Sequence, residues 1–166
     1  MRGSACLVDE DQDVGAPMNY DLDAIAEALA ARFQGIPTDT YNAEAWTITA
    51  DGSAMGTVNI PALVIELDDL TYDLSMGRGA DQAVFLAYLM VSEADSSSGQ
   101  RLVRKLLSSG GMSSRIKDSM NGPAADQTLG GLVDYAQMTG TRSIGSINYN
   151  GIGYQGATLE ITVMLS

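Results

Sequence analysis

Gly151-Ile152-Gly153-Tyr154-Gln155-Gly156 carries the glycine spacing of a dinucleotide-binding loop, letter for letter. That chemistry requires the loop to open a helix whose N-terminal amides receive the pyrophosphate. Here a segment of alternating apolar and polar residues follows, so the glycines are read as a hairpin, where they supply the positive φ of tight turns. Asp9-Glu10-Asp11-Gln12-Asp13 begins like a calcium loop, but Val14 stands where the loop needs glycine and Tyr20 where it needs a bidentate glutamate. Ser114-Arg115-Ile116-Lys117 has the spacing of a β-lactamase-like nucleophile and base, without the Ser-Asp-Asn or Lys-Thr-Gly partners of that chemistry. Glu66, Asp68 and Asp69 could share acid and base roles, although neighbouring carboxylates at a strand end are usually solvated.

The chain has no histidine and one cysteine, Cys6. That composition removes Ser-His and Cys-His nucleophile activation, His-ligated zinc and an intrachain disulfide. A reducing compartment is expected. We therefore expect no catalytic, cofactor-binding or metal-binding residues, and no enzyme.

One charged cluster remains. Arg101, Arg104, Lys105, Arg115 and Lys117 are five of only 9 basic residues. They read first as an exposed polar helix face, and more sharply as a local basic patch that meets an acidic partner or the DNA backbone. The net charge of -12 opposes ordinary nucleic-acid binding, which rests on many cation contacts to phosphate.

Positioning these residues takes a domain of about 150 residues, which the 166-residue chain supplies once. Residues 1–17 read as a flexible acidic arm, lacking the roughly 7–15-residue apolar core of a secretory signal. Met1-Arg2-Gly3-Ser4 resembles an expression leader, and Met18 reads as an alternative start. No run approaches the ~20 apolar residues of a membrane span.

Residues 18–166 read as one α+β domain, two main helices on a mostly antiparallel sheet with a protruding hairpin. Leu22, Ile25, Ala26, Leu29 and Phe33 have helical spacing, with Asp21 as N-cap and Gly35 as C-cap, which predicts a helix over Asp21–Gln34. Ser97 and Gln100 form a capping-box pattern ahead of Leu102, Val103, Leu106 and Leu107, predicting a second helix over Ser98–Ser109, before Gly110-Gly111. Met112, Ile116 and Met120 predict one or two further turns.

Strands are expected at 63–72, 83–92, 129–139 and 156–165. The apolar run from Ala83 to Val91 is placed as a central strand covered on both faces. A loop is expected at Gly77, Gly79 and Asp81. Residues 40–49 look extended, and Asp51-Gly52 predicts a glycine-rich hairpin returning toward Ile60 and Pro61.

Several short stretches, read in order, resemble the tail-terminator (neck ring) proteins of long-tailed bacteriophages. They are Tyr20 to Leu29, Ile60-Pro61-Ala62-Leu63-Val64, Val91-Ser92, Ser98-Gly99-Gln100-Arg101-Leu102, Thr128-Leu129-Gly130-Gly131-Leu132-Val133, and Tyr154 to Glu160. The likeness runs from about residue 20 to the end.

The resemblance implies a virion structural protein, assembled in the host cytoplasm. It would form a homo-oligomeric, hexameric ring on the head-proximal end of the tail tube. Its partners would be the tail tube protein and a head connector or stopper protein, with DNA passing through the channel without specific binding, no cofactor and no membrane. Docking loops are expected at Asp51 and Gly52 and at Gly151, Gly153 and Gly156, within a turn-rich stretch over 140–156. Met55, Met76 and Met138 are candidates for apolar ring contacts. The alternatives are another head-completion or stopper subunit, and a small non-catalytic ligand-binding module using the Gly151–Gly156 segment.

Overall fold

Strict alternation at the C-terminus sets the architecture. In the computed structural model, which describes residues 19–34, 36–38, 46–53, 56, 58–72, 80–93, 97–108, 115–122 and 125–165, the chain is α+β. In chain order the elements are α1 (Leu22–Phe33), β1 (Pro37–Thr38), β2 (Trp46–Thr47), β3 (Thr49–Asp51), β4 (Ala62–Thr71) and β5 (Asp81–Glu93). They continue with α2 (Ser97–Leu107), α3 (Arg115–Asn121), β6 (Tyr135–Tyr149) and β7 (Ile152–Leu165).

Five strands form one sheet in the order β3-β4-β5-β7-β6, while β1 and β2 pair separately. On β7, Ala157, Leu159, Ile161, Val163 and Leu165 are fully buried, while Glu160, Thr162 and Met164 on the other face are half-buried. β5 presents Ala83, Phe85, Ala87, Leu89 and Val91 in the same way. Onto this face pack Ile25, Leu29 and Phe33 of α1, Val103 and Leu106 of α2, and Ile116 and Met120 of α3. Each large side chain removed from water there contributes about 1.5–3 kcal/mol. α1 lies on β3 and β4, α2 on β5 and β7, and α3 on β6.

On the opposite face, among the described residues, Ala62, Val64, Met90, Tyr149 and Tyr154 form a smaller buried cluster, with Tyr88 tilted against Tyr149 at 6.3 Å between ring centroids. The expectation that β5 is covered on both faces thus holds for Leu86 and Met90, whereas Val84 and Tyr88 stay half-buried.

Both main helices form where the spacing predicts them, within two residues at each end. The Asp21 carboxylate accepts from the amides of Asp23 and Ala24, as an N-cap does. The C-cap is Gln34, in an extended conformation. Gly35 lies outside the described residues, as do residues 1–18, Gly77, Gly79, Gly110-Gly111, Met112, Ser114, Met55 and Met76, together with the calcium-like tract and Cys6.

Three expectations are corrected. The strand expected over 129–139 starts only at Tyr135, because Leu129, Gly130 and Gly131 hold successive positive φ values of 51°, 74° and 87°, a run no strand accommodates. The Asp51-Gly52 hairpin does not form: Thr49–Asp51 pairs parallel with β4, which makes the sheet mixed. The turn-rich stretch expected over 140–156 is instead a continuous antiparallel hairpin, β6 against β7, with register shifts at Met138/Gly140 and Thr141/Ser143. Its turn is Asn150-Gly151, with φ of 52° and 80°, the two left-handed residues that a tight hairpin of this hand needs.

Gly156 sits where β7 is crowded by β5 on one side and β6 on the other. A Cβ there would run into the Leu89 carbonyl oxygen of β5, whereas one at Gly140 meets nothing. Gly156→Ala is expected to cost about 1–3 kcal/mol through forced backbone shifts, and Gly140→Ala to stay within ~0.5 kcal/mol. Urea unfolding of the two variants beside wild type checks both.

Candidate interaction surface

β6 is an edge strand of 15 residues, and edge strands present unpaired amides and carbonyls to whatever approaches. Its first part is blunted from within. The Ala136 amide donates to the Gln127 carbonyl at 2.7 Å. At Met138 the Asn121 side chain of α3 imitates a strand, its amide nitrogen donating to the Met138 carbonyl at 2.8 Å and its oxygen accepting from the Met138 amide at 2.9 Å. Beyond that point, among the described residues, no strand pairs with the outer edge.

Two small clefts follow the seam between the helices and this strand. One, about 170 Å³, is lined by Leu107, Ile116, Lys117, Asn121 and Met138 to Thr141. The other, about 190 Å³, is lined by Gln100, Val103, Arg104, Ile144, Gly145 and Gln155. Ile144 is 60% exposed beside it. Gln155 is buried, and its side-chain oxygen has no hydrogen-bond partner among the described residues. The Ser92 hydroxyl, on the residue paired with Gln155, is likewise unpartnered. Buried polar atoms normally find partners.

Of the predicted basic residues, Arg104 lines one of these clefts and Lys117 the other. Arg101, Arg104 and Lys105 are exposed on α2, and Lys117 is exposed on α3, which Arg115 opens. The predicted docking glycines are dispersed. Gly151 occupies the β6–β7 turn, Gly153 is within β7, and Gly156 is buried between strands. Gly52 is pressed on α1, where a Cβ would come within 2.6 Å of the Glu27 amide nitrogen, so this segment does not project as a docking loop. Asp51 accepts from the amide and hydroxyl of Ser53, both at 2.9 Å. Met138 packs half-buried against the core.

Of the carboxylates considered for acid and base roles, Asp68 is held in an ionic cluster on the open sheet face. Arg142 reaches Glu160 through Nε and Asp68 through Nη1, each at 2.7 Å. The Arg142 hydrogen bond, with one from Thr139, holds the Glu160 carboxyl below its usual range. Burial, then the nearby Glu66 and Asp68, pushes the Tyr88 phenol up. Asp69 accepts from the Thr71 hydroxyl at 3.3 Å. An arginine paired with two carboxylates on neighbouring strands ties those strands together.

Two further contacts had no sequence signal. Tyr20 donates to Asp81 at 2.8 Å, which pins the start of α1 to β5 and pushes the phenol up to about 12. Asp126 organises the turn before β6, accepting from the Thr128 hydroxyl and amide and the Gly130 amide, with Arg32 at 3.3 Å. Those hydrogen bonds, the Thr128 hydroxyl first, lower its carboxyl to about 2.

Among the described residues no helix is long and apolar enough to cross a membrane. In comparison with known proteins, no family model, no curated protein and no solved structure matches the chain.

Two measurements test these roles. Asn121→Ala removes both hydrogen bonds to Met138 and is expected to cost about 1–2 kcal/mol in urea unfolding. For Asp126 the folded value lies below the ordinary 3.8, so the stability it contributes is complete above about pH 4 and lost as the pH falls toward 2. The Tm gap between wild type and Asp126→Asn should be widest at neutral pH and close across that window. A gap that is constant with pH would remove the carboxylate's assigned part in the turn.

Proposed function

We propose that this chain is a structural subunit of a bacteriophage neck, forming the ring that caps the head-proximal end of the tail tube, ends its polymerisation and joins it to the head connector. The observation that carries the reading is the β6 side of the molecule. There a long edge strand, an exposed isoleucine and the cations Arg104 and Lys117 lie on one seam. Such a surface suits a large partner better than a small ligand, because each seam cleft, at about 170 and 190 Å³, is below the ~300 Å³ of an ordinary ligand site.

The ordered likeness of residues 20 to 166 to tail-terminator proteins supplies the identity of that partner set: further copies of the chain, the tail tube protein and a head connector or stopper. The strongly acidic composition suits a channel wall along which DNA slides without adhering. In this reading the protein is non-catalytic, needs no cofactor, and resides in the virion.

A capping ring must complement the tube on one face and refuse another tube layer on the other. Withholding the protein from an assembling phage is therefore expected to give over-length tubes that fail to join heads, seen by electron microscopy. Tails of normal length joined to heads would exclude the role.

A further inference from the structure

We propose that the β6 seam of one copy receives the acidic β3 side of a second copy, head to tail, through Arg104 and Lys117 facing Asp23 and Glu27. The inference rests on the ring reading and specifies its subunit contact. At a net charge of -12 two copies repel overall, so any self-contact needs local attraction between unlike surfaces.

The two ends of the sheet supply that attraction. On the β6 side, Arg104 borders one seam cleft and Lys117 the other, with Arg101 exposed on the same helix as Arg104. On the β3 side, α1 exposes Asp23 and Glu27, one helical turn apart, and Gly52 packs on the Glu27 backbone. Asp51 ends β3 at the same margin.

Edge chemistry points the same way. β3 itself is only 3 residues long, and its Ala50 amide already donates to the Gln34 side chain at 2.7 Å, so β3 offers little backbone for strand pairing, while beyond it the outer edge of β4 from Ile65 to Thr71 has no strand partner among the described residues. A symmetric pairing of β6 with β6 would bring the α2 and α3 cations of both copies together on one face of a joined sheet, which repulsion disfavours. Opposed unlike edges give a heterologous contact, which closes into a ring when the rotation between copies closes. Ile144, 60% exposed, lies beside Arg104 in the larger cleft and supplies an apolar anchor for the incoming copy.

The test exchanges the charges. One full-length variant carries Arg104→Glu with Lys117→Glu, the other Asp23→Lys with Glu27→Lys, and circular dichroism with thermal melting establishes that each folds. By analytical ultracentrifugation wild type is expected to form oligomers, each variant alone to associate at least ~10-fold more weakly, and an equimolar mixture to recover oligomers, since every contact in it is again between unlike charges. Wild-type association should also weaken several-fold between roughly 0.1 and 0.5 M NaCl, a measurement independent of either variant's folding.

Oligomers unchanged in both variants, a mixture of folded variants that stays monomeric, or salt-insensitive wild-type association would each overturn this contact. None of those touches the tail-capping reading, which stands or falls on tail length. A wild-type chain monomeric at every concentration would also overturn the contact.

Discussion

The burial of one sheet face by three helices is the constraint on which the rest of this molecule depends. Because β5 and β7 devote every second residue to that face, their order and register are fixed, for a slip of one residue would turn the whole apolar row toward water. With β7 locked beside β5, β6 can pair only on β7's far side, so it becomes an edge. The helices then decide which edge is guarded. α1 lies over β3 and β4, while α2 and α3 end over β7 and β6, leaving their cations at the margin. The polarity of the surface is thus a consequence of how the core is filled.

How much of this the sequence discloses follows from which residues carry two jobs. α1 and β7 are legible because burial alone dictates their pattern: Ile25, Leu29 and Phe33 at helical spacing, Ala157 to Leu165 at spacing of two. β6 is obscure because its middle is solvent-exposed, built from Thr, Ser and Gly, and interrupted by two register shifts, so neither hydrophobicity nor alternation marks it. Leu129, Leu132 and Val133 mislead in the opposite direction. They are apolar and strand-like, yet the Asp126 hydrogen bonds and the positive φ at Leu129, Gly130 and Gly131 wind them into a turn. β3 is invisible because a three-residue parallel strand leaves no periodicity to read.

The candidate surface divides the same way. Its cations are plain in the sequence, since charges at helical spacing on α2 must face water. Its seam is not, because Arg104 meets Ile144, and Lys117 meets Met138, only after the hairpin has folded back beneath the helices. The glycines mislead because the same residue type serves opposite ends: Gly151 turns the chain in solvent, whereas Gly156 admits a neighbouring strand. Only neighbouring atoms tell the two apart.

The contrast between the two edges bears on how assembly is limited. A chain with two open edges could extend in both directions as a sheet, and polymerisation would have no internal stop. Here β3 is short and its Ala50 amide is taken by Gln34, while β6 is long, with Asn121 filling the place of a strand at Met138. Among the described residues the outer edge of β4 from Ile65 to Thr71 also has no strand partner, so what distinguishes the two margins is their charge. Contacts through charge are directional, because a cationic margin accepts an acidic one and repels its own likeness. They are also modest in strength per pair when solvent-exposed, so they favour closure, where every subunit satisfies both margins, over an open row whose ends satisfy one each. A subunit acidic overall, with Arg104 and Lys117 on one margin and Asp23 and Glu27 exposed on α1, carries the unlike surfaces that the proposed contact needs.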